Sequence, residues 1–450
     1  MANLTPSSLL ELPVELVYRI LENLDYVTIL CSVHNVCTRL NMITGSYAPY
    51  KTMNTLDLRA DEIVNMPVTR IIDALQHNTT VTTLCGTDHK VGDNEVTCIA
   101  STLQQQTALT TLDLRNNGIS VKGTTQIADA LQHNTTLTTL DLSWNVIGVD
   151  GAKRFADALQ HNKTLTTLHL RDTGLGDEGA AFIANALTQN TTLTTLDLSW
   201  NVIGVDGAKR FADALQHNKT LTTLHLRDTG LGDEGAAFIA NALTHNTTLT
   251  TLNLRYNGIG ATGATWIADA LKYNTTLTTL NLSVNAIDDE GATQIADALK
   301  ENKTLTTLDL RYNEIEVDGA TSMAAALQQN TTLNTLDLSV NVIGVEGAAQ
   351  IATALKHNKT LTTLILSNNQ IGNEGVKHIA DALPYNKTLT TLDLANNRIG
   401  NEGATHIADA LQQNTTLTTL GLNFENIKDD LRIQFEQLSR QNQQREMVVC

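Results

Sequence analysis

An α/β solenoid, with a parallel sheet along its inner side and helices outside, is the fold class predicted for this 450-residue chain. Three observations predict it. Leucines at 109, 137, 165 and so on to 417 open the same phrase, each 28 residues after the last, and weaker copies open at Met53 and Val81. That makes fourteen repeats without an insertion, a period diagnostic of stacked units. One repeat reads "LTTLDLSWNVIGVDGAKRFADALQHNKT", and Leu140 and Leu142 alternate as in a strand with one buried face. Ala152, Phe155, Ala156 and Leu159 then fall on one face of a helix. Neither element can bury its apolar side alone, so neighbouring repeats must stack.

Each piece of the repeat has its own reason. The strand phrase LxxLxLxxNxI resembles the leucine-rich repeat of the ribonuclease-inhibitor type, over roughly residues 51–425. Strands stack about 4.8 Å apart and helices roughly 8–10 Å apart, so the resemblance implies a curved, horseshoe-like array with an open inner sheet. Asparagine at the ninth position (Asn117, Asn145, Asn201, Asn257 and their equivalents) is expected to form a buried amide ladder under the loops, with Thr173 and Thr229 filling that place only in part. The triplets "NTT" and "NKT", as at Asn134 and Asn162, spell glycosylation sequons. They fall where each helix must stop, which suggests an asparagine cap in the left-handed conformation. The histidines before them (His133, His161, His217) sit at the negative end of a helix dipole. "GLGDEG" at 174–179 and 230–235 satisfies G-x-G-x-x-G, but a solenoid offers no reversal of strand order for a dinucleotide crevice. Gly148, Gly151, Gly176 and Gly179 therefore read as ordinary turn glycines. Residues 134–188 and 190–244 are identical, so two repeats were copied together.

Along each strand the third, fifth and seventh positions should face the open side. The third is threonine throughout (Thr55 to Thr419), suited to hydrogen bonding across strands. The fifth runs Asp141, His169, Asp197, His225, Asn253, Asn281, Asp309, Asp337, which reads as favourable cross-strand pairing rather than a metal site. The seventh supplies Arg115, Arg171, Arg227, Arg255 and Arg311, and the eighth is aromatic in alternate repeats: Trp144, Trp200, Tyr256, Tyr312. Trp, Tyr and Arg are the commonest interface anchors. Arg171, Arg227, Arg255, Arg311 and the four rings are therefore the expected partner-binding residues.

The first fifty residues stand apart. "ELPVELVYRILENLD" has Pro13 in a first helical turn, then Val17, Ile20, Leu21 and Leu24 on one face. A second helix carries Ile29, Val33, Val36 and Leu40. The phrase LP-x-E-L, then I-L-x-x-L-D, then V-C-x-R, over about residues 9–45, resembles an F-box. F-boxes bind the Skp-type adaptor of cullin–RING ubiquitin ligases, and many precede leucine-rich repeats that hold a substrate. Carried onto this chain, the resemblance implies adaptor contacts at Leu12, Pro13, Ile20, Leu24 and Val36. Leu40 stands where many F-boxes have an aromatic residue, and Tyr18 interrupts the usual aliphatic run. The same segment could instead cap the first repeat. At the other end, Ile427, Leu431, Phe435 and Leu438 form a helical stripe closing the core, followed by a frayed polar tail. The expected domains are thus 1–50, 51–425 and 426–450.

Composition narrows the function. A net charge of −17 argues against a general nucleic-acid or anionic-membrane binder, and no apolar run approaches the roughly 20 residues of a membrane span. Five cysteines without a CxxC pair suit a reducing, cytoplasmic or nuclear, setting. No nucleophile–base set stands out, and neither metal nor cofactor is expected. The reading is a non-catalytic substrate receptor of a ubiquitin ligase, bridging a Skp-type adaptor and cullin complex to an unknown protein target. The alternatives are a free-standing binding or inhibitor protein and a Ran-type GTPase-activating protein, since the latter shares the repeat type but needs no F-box.

Overall fold

The computed structural model describes residues 14–22, 24, 54–58, 67–75, 78–88, 91–105, 108–423, 427–441 and 446–449. Packing divides the chain into two compact bodies, residues 1–201 and 202–450. In the first, the helix Val14–Leu21 precedes six three-residue strands, from Thr55–Asp57 to Thr195–Asp197. Consecutive strands lie parallel, residue i facing residue i+28, as Thr139↔Thr167 and Thr167↔Thr195. Helices such as Gly148–His161 and Gly176–Leu187 connect them. The second body repeats the scheme from Thr223–His225 to Thr419–Leu422. It then adds the helix Asp429–Gln441 and a strand, Glu446–Val449, that pairs with Thr419–Leu422 in parallel. The expected frayed tail is thus partly a strand, because the last repeat otherwise presents a row of unpaired backbone groups. Ile427 and Phe435 of the closing stripe are buried and Leu431 is half-buried, while the Leu438 side chain lies outside the described residues.

The core is the predicted one. Leu137, Leu140, Leu142 and Ile147 from the strand side meet Ala152, Phe155, Ala156 and Leu159 from the helix, all buried. Each such leucine contributes about 1.5–3 kcal/mol of burial. Gly148 and Gly176 are left-handed turn glycines (φ 58° and 60°) as expected. Gly151 and Gly179 are not; they lie inside helices, where a Cβ would come 2.8 Å from Ile147 and 3.2 Å from Leu175. Close helix-to-loop packing selects glycine there, not backbone freedom.

Two amide ladders hold the repeats in register. At position nine, Asn145 accepts from the backbone N–H of Asn117 (3.1 Å) and Ile119 (3.0 Å) and donates to the carbonyls of Leu114 (2.8 Å) and Leu142 (2.9 Å). Thr173 does part of this work, its hydroxyl donating to the Leu170 carbonyl. Its own carbonyl takes the N–H of Ile147 and Gly148 instead. The sequon asparagines form the second ladder. Asn162 ends its helix with extended backbone (φ −67°, ψ 134°), not the left-handed cap expected. The side chain explains why: Oδ1 accepts from the N–H of Thr164 and Leu165, and Nδ2 donates to the Leu131 carbonyl of the preceding repeat. An Asx turn thus closes the helix and starts the next strand. His161 and His217 place Nδ1 against the Asp157 and Asp213 carbonyls, at helix ends as anticipated.

The hydroxyl ladder is displaced by one residue from expectation. Threonines at position two, not three, make it: Thr138 donates to the Thr110 carbonyl and Thr166 to that of Thr138, each at 3.1 Å. Position two lies just before the three-residue strand, so its side chain reaches sideways to the neighbouring repeat.

Candidate functional site

Position eight carries the most informative geometry. Its N–H continues the interstrand ladder, Trp144 donating to the Arg171 carbonyl (2.7 Å) and Tyr256 to that of Ser283 (3.0 Å). Just past the strand this residue is left-handed in every repeat from the second to the thirteenth, with φ between 49° and 64°. Asp88, Asn116, Asp172, Asp228, Asn368 and Asn396 suit that conformation. Trp144, Trp200, Tyr256 and Tyr312 do not, nor do Val284 and Val340, and the left-handed region costs an ordinary L-residue roughly 1–2 kcal/mol. The rings are nevertheless 41, 44, 56 and 54% exposed. Large apolar side chains held in a costly backbone conformation with half their surface in water are not explained by folding alone. The sequence carried a signal of this strain, the Asn and Asp interleaved with the rings, which reading for interface composition alone overlooked.

Position seven departs from expectation. Ser143, Ser199, Ser283 and Ser339 there are buried rather than facing solvent, whereas the longer arginines are half-buried or exposed. In the first body those arginines are committed internally. Arg115 pairs with Asp113 (2.7 Å) and Asp141 (3.4 Å). Arg171 pairs with Asp197 (2.9 Å) and lies 5.7 Å from the Trp144 ring centroid, a cation–π distance. His169 faces the same Asp197 at 4.0 Å. In the second body Arg227 and Arg255 are half-buried and Arg311 is exposed. Among the described residues, neither Arg255 nor Arg311 makes an ion pair.

The carboxylates of the open sheet face follow their neighbours. Burial pushes the Asp113 carboxyl up, but the hydrogen bonds and charge of Arg115 outweigh it and hold the group below its ordinary range. Asp141 is raised by burial, with Asp113 adding to the effect and Ser143 and His169 only partly opposing it. Asp309 is raised likewise by burial and by Asp337, while its bond from the Arg311 N–H and the nearby Arg255 charge work against the rise. The face therefore mixes guanidinium, carboxylate and ring, as the sequence suggested. Among the described residues no cluster of three metal-ligating side chains occurs.

At the N-terminus, Val17 and Leu21 are buried, Leu24 is half-buried and Ile20 is 38% exposed. The helix ends at Leu21, so Leu24 lies beyond it, and Ile20, expected on the same face as Val17 and Leu21, is the exposed member. Leu12, Pro13 and Val36, together with the expected second helix, lie outside the described residues. Among the described residues no helix is long and apolar enough to cross a membrane.

Comparison with known proteins agrees with this architecture. The leucine-rich-repeat family model matches eight stretches, 105–128, 133–156, 161–184, 189–212, 217–240, 245–268, 273–296 and 301–324. A model of the TMOD/LMOD leucine-rich domain matches residues 314–445. Among solved structures, leiomodin-1 actin-binding site 2 is 30% identical, covering 34% of this chain and 88% of that one, with a TM-score of 0.32. An internalin of Listeria monocytogenes is 20% identical over 78% of this chain and 88% of its own, with a TM-score of 0.46. No curated protein matches. Eight family matches in the 28-residue register, stacked parallel strands and the asparagine ladder lead to one conclusion: the chain is a leucine-rich-repeat protein.

Proposed function

We propose that the chain is a non-catalytic receptor that holds a target protein along its open sheet and upper rim and presents it, through residues 1–50, to a Skp-type adaptor of a cullin–RING ubiquitin ligase. The observation that carries the target-binding half is the set of exposed rings at the left-handed eighth position, where asparagine would serve the fold at lower cost. Burying one such ring against a partner is often worth at least about 2 kcal/mol. Arg311, exposed and without an ion pair among the described residues, adds a cation to meet a partner's carboxylates. Such mixed patches select a complementary partner rather than any polycation. The adaptor half is supported by the F-box-like phrase and by Ile20, which the N-terminal helix leaves outside while burying Val17 and Leu21.

Trp144→Ala combined with Trp200→Ala is expected to weaken target capture at least about 30-fold, taking ~1.4 kcal/mol per decade, with adaptor binding unchanged. Lys153→Ala and Lys209→Ala, on the helical side where each lysine lies over a phenylalanine ring (Phe182 at 6.0 Å, Phe238 at 5.8 Å), should leave capture intact. Capture lost through the lysines and kept without the tryptophans refutes the rim. For the N-terminus, Ile20→Asp with Leu24→Asp should abolish co-elution with a purified Skp-type adaptor while the repeats stay folded. The buried Val17 and Leu21 favour a second reading, a free-standing binding protein whose first helix is only a cap. That reading predicts no co-elution by the unaltered chain and a loss of stability on substitution.

A further inference from the structure

Tyr256 occupies the same position as Trp144, yet what lies over the two rings differs. Trp144 is covered by Arg171, at position seven of the following repeat, which also reaches the Asp197 carboxylate. The repeat after Tyr256 has Ser283 at that position, buried and donating its hydroxyl to Asn281 (2.7 Å). Among the described residues no cation of the chain lies over the Tyr256 ring. Its sequence neighbour Arg255 acts on Asp309, along the sheet.

The ring instead borders a cleft of about 420 Å³, with Asp228, Gly230, Gly258, Val284 and Ala286 among its walls. That volume falls within the range of sites that enclose small groups, roughly 300–1,000 Å³. Asp228 forms no ion pair among the described residues. A Cβ at Gly230 or Gly258 would meet nothing within 4 Å. Glu314, Gln370 and Arg398 hold the equivalent position with φ near 58°, so the backbone there admits a side chain. The two glycines keep the mouth of the cleft bare. An aromatic face, a carboxylate without a partner and an open mouth are what a cation needs.

We propose that the cleft receives an arginine side chain of the target protein, its guanidinium over the Tyr256 ring and against the Asp228 carboxylate. The partner thus supplies in the second body what Arg171 supplies within the first. Arginine fits better than lysine because its planar guanidinium stacks on a ring and pairs with a carboxylate at the same time. This inference rests on the reading of the rim as the target-binding surface.

The test uses the full chain with ¹³C-labelled valine and alanine methyls, titrated with N-acetyl-arginine methylamide and with its neutral citrulline counterpart. The Val284 and Ala286 methyl resonances should shift saturably with the arginine probe and not with citrulline. Asp228→Asn or Tyr256→Leu should each weaken that binding about fivefold, the scale on which an exposed cation–ring contact or ion pair acts. Asp172→Asn, at position eight two repeats earlier, should leave it unchanged. Equal shifts with both probes, or arginine binding indifferent to Asp228→Asn, overturn the proposal. Target capture separates this from the broader reading: capture lost with the tryptophan pair while the cleft stays silent sinks only the arginine, whereas an occupied cleft with capture unaffected sinks the rim.

Discussion

Replacing Asn145 with alanine tests what holds neighbouring repeats in register. The side chain is buried and makes four good hydrogen bonds to backbone, two as acceptor and two as donor. Alanine leaves the N–H groups of Asn117 and Ile119 facing a dry loop, and each buried orphan costs about 1–3 kcal/mol. The two carbonyls lose one partner each, a lesser matter because an oxygen with a second lone pair tolerates it better. The expected loss is therefore roughly 2–6 kcal/mol. Val146→Ala is the control: it sits on the same loop, is 60% exposed, and should change stability by less than about 0.5 kcal/mol. Urea denaturation of the full chain, followed by far-ultraviolet circular dichroism, reads both. Because repeats couple mainly to their neighbours, the Asn145→Ala transition should also broaden or split. A loss under about 1 kcal/mol, within the ordinary spread of point mutants, or one matching Val146→Ala, would mean the loop amides find other partners and the ladder is not the register-keeping element.

Leu196→Ala should cost ~2–5 kcal/mol as a fully buried leucine, and Thr195→Ala far less; equal losses would invert the assignment of inner and outer strand faces. Asp309→Asn should raise the melting temperature at pH 7. Its carboxyl is raised in the fold, mainly by burial, so the native chain gains stability as pH falls through that raised value towards the unfolded one, and lacks that gain at neutral pH. The advantage of the asparagine should accordingly shrink by pH 4. Asp113→Asn should act with the opposite sign: the native carboxyl is lowered by Arg115 against the effect of burial. Its stabilisation is present above the unfolded value and is lost as pH falls through the lowered one. Thermal melts at the two pH values check both, and parallel shifts in the two variants would contradict the electrostatic assignments.

Much of this was legible in the sequence because a solenoid repeats its reasons. The buried set, Leu140, Leu142, Phe155 and Leu159, follows from two periodicities, and Asn145 from the need to satisfy a buried loop. Misreadings arose where one residue of register mattered. Strands only three residues long make position two, not position three, the place from which a threonine hydroxyl reaches its neighbour. The asparagine of "NKT" looked like a left-handed cap because its backbone role was judged without its side chain, which does the capping from an extended backbone. The strand Glu446–Val449 has no repeat signature at all; the bare edge of the last repeat draws it in. At the rim, "SWN" alone shows the residue types but not their strain; the left-handed turn of its middle residue is signalled only by the Asn and Asp that hold the same position in other repeats. The alternation that leaves Tyr256 uncovered while Trp144 is covered became visible only when position seven of one repeat was seen to lie over position eight of the one before.

The second ladder has a consequence for how this chain can be made. All twelve asparagines of the "NTT" and "NKT" triplets, from Asn78 to Asn414, are buried, none more than 5% exposed. Ten of them, Asn134, Asn162, Asn190 and the seven from Asn246 to Asn414, donate the amide nitrogen to a leucine carbonyl of the repeat before. Those nitrogens are where an oligosaccharide would be attached, and the enzymes that attach it act on chains still emerging from the ribosome. A sugar added then would arrive before the fold could hide the site, and one glycan would wedge apart two successive coils. Correct assembly and N-linked glycosylation therefore exclude each other in this polypeptide. Directing it into a glycosylating compartment should yield misassembled, protease-sensitive material, whereas replacing the third residue of each triplet with alanine would remove the signal and keep the ladder.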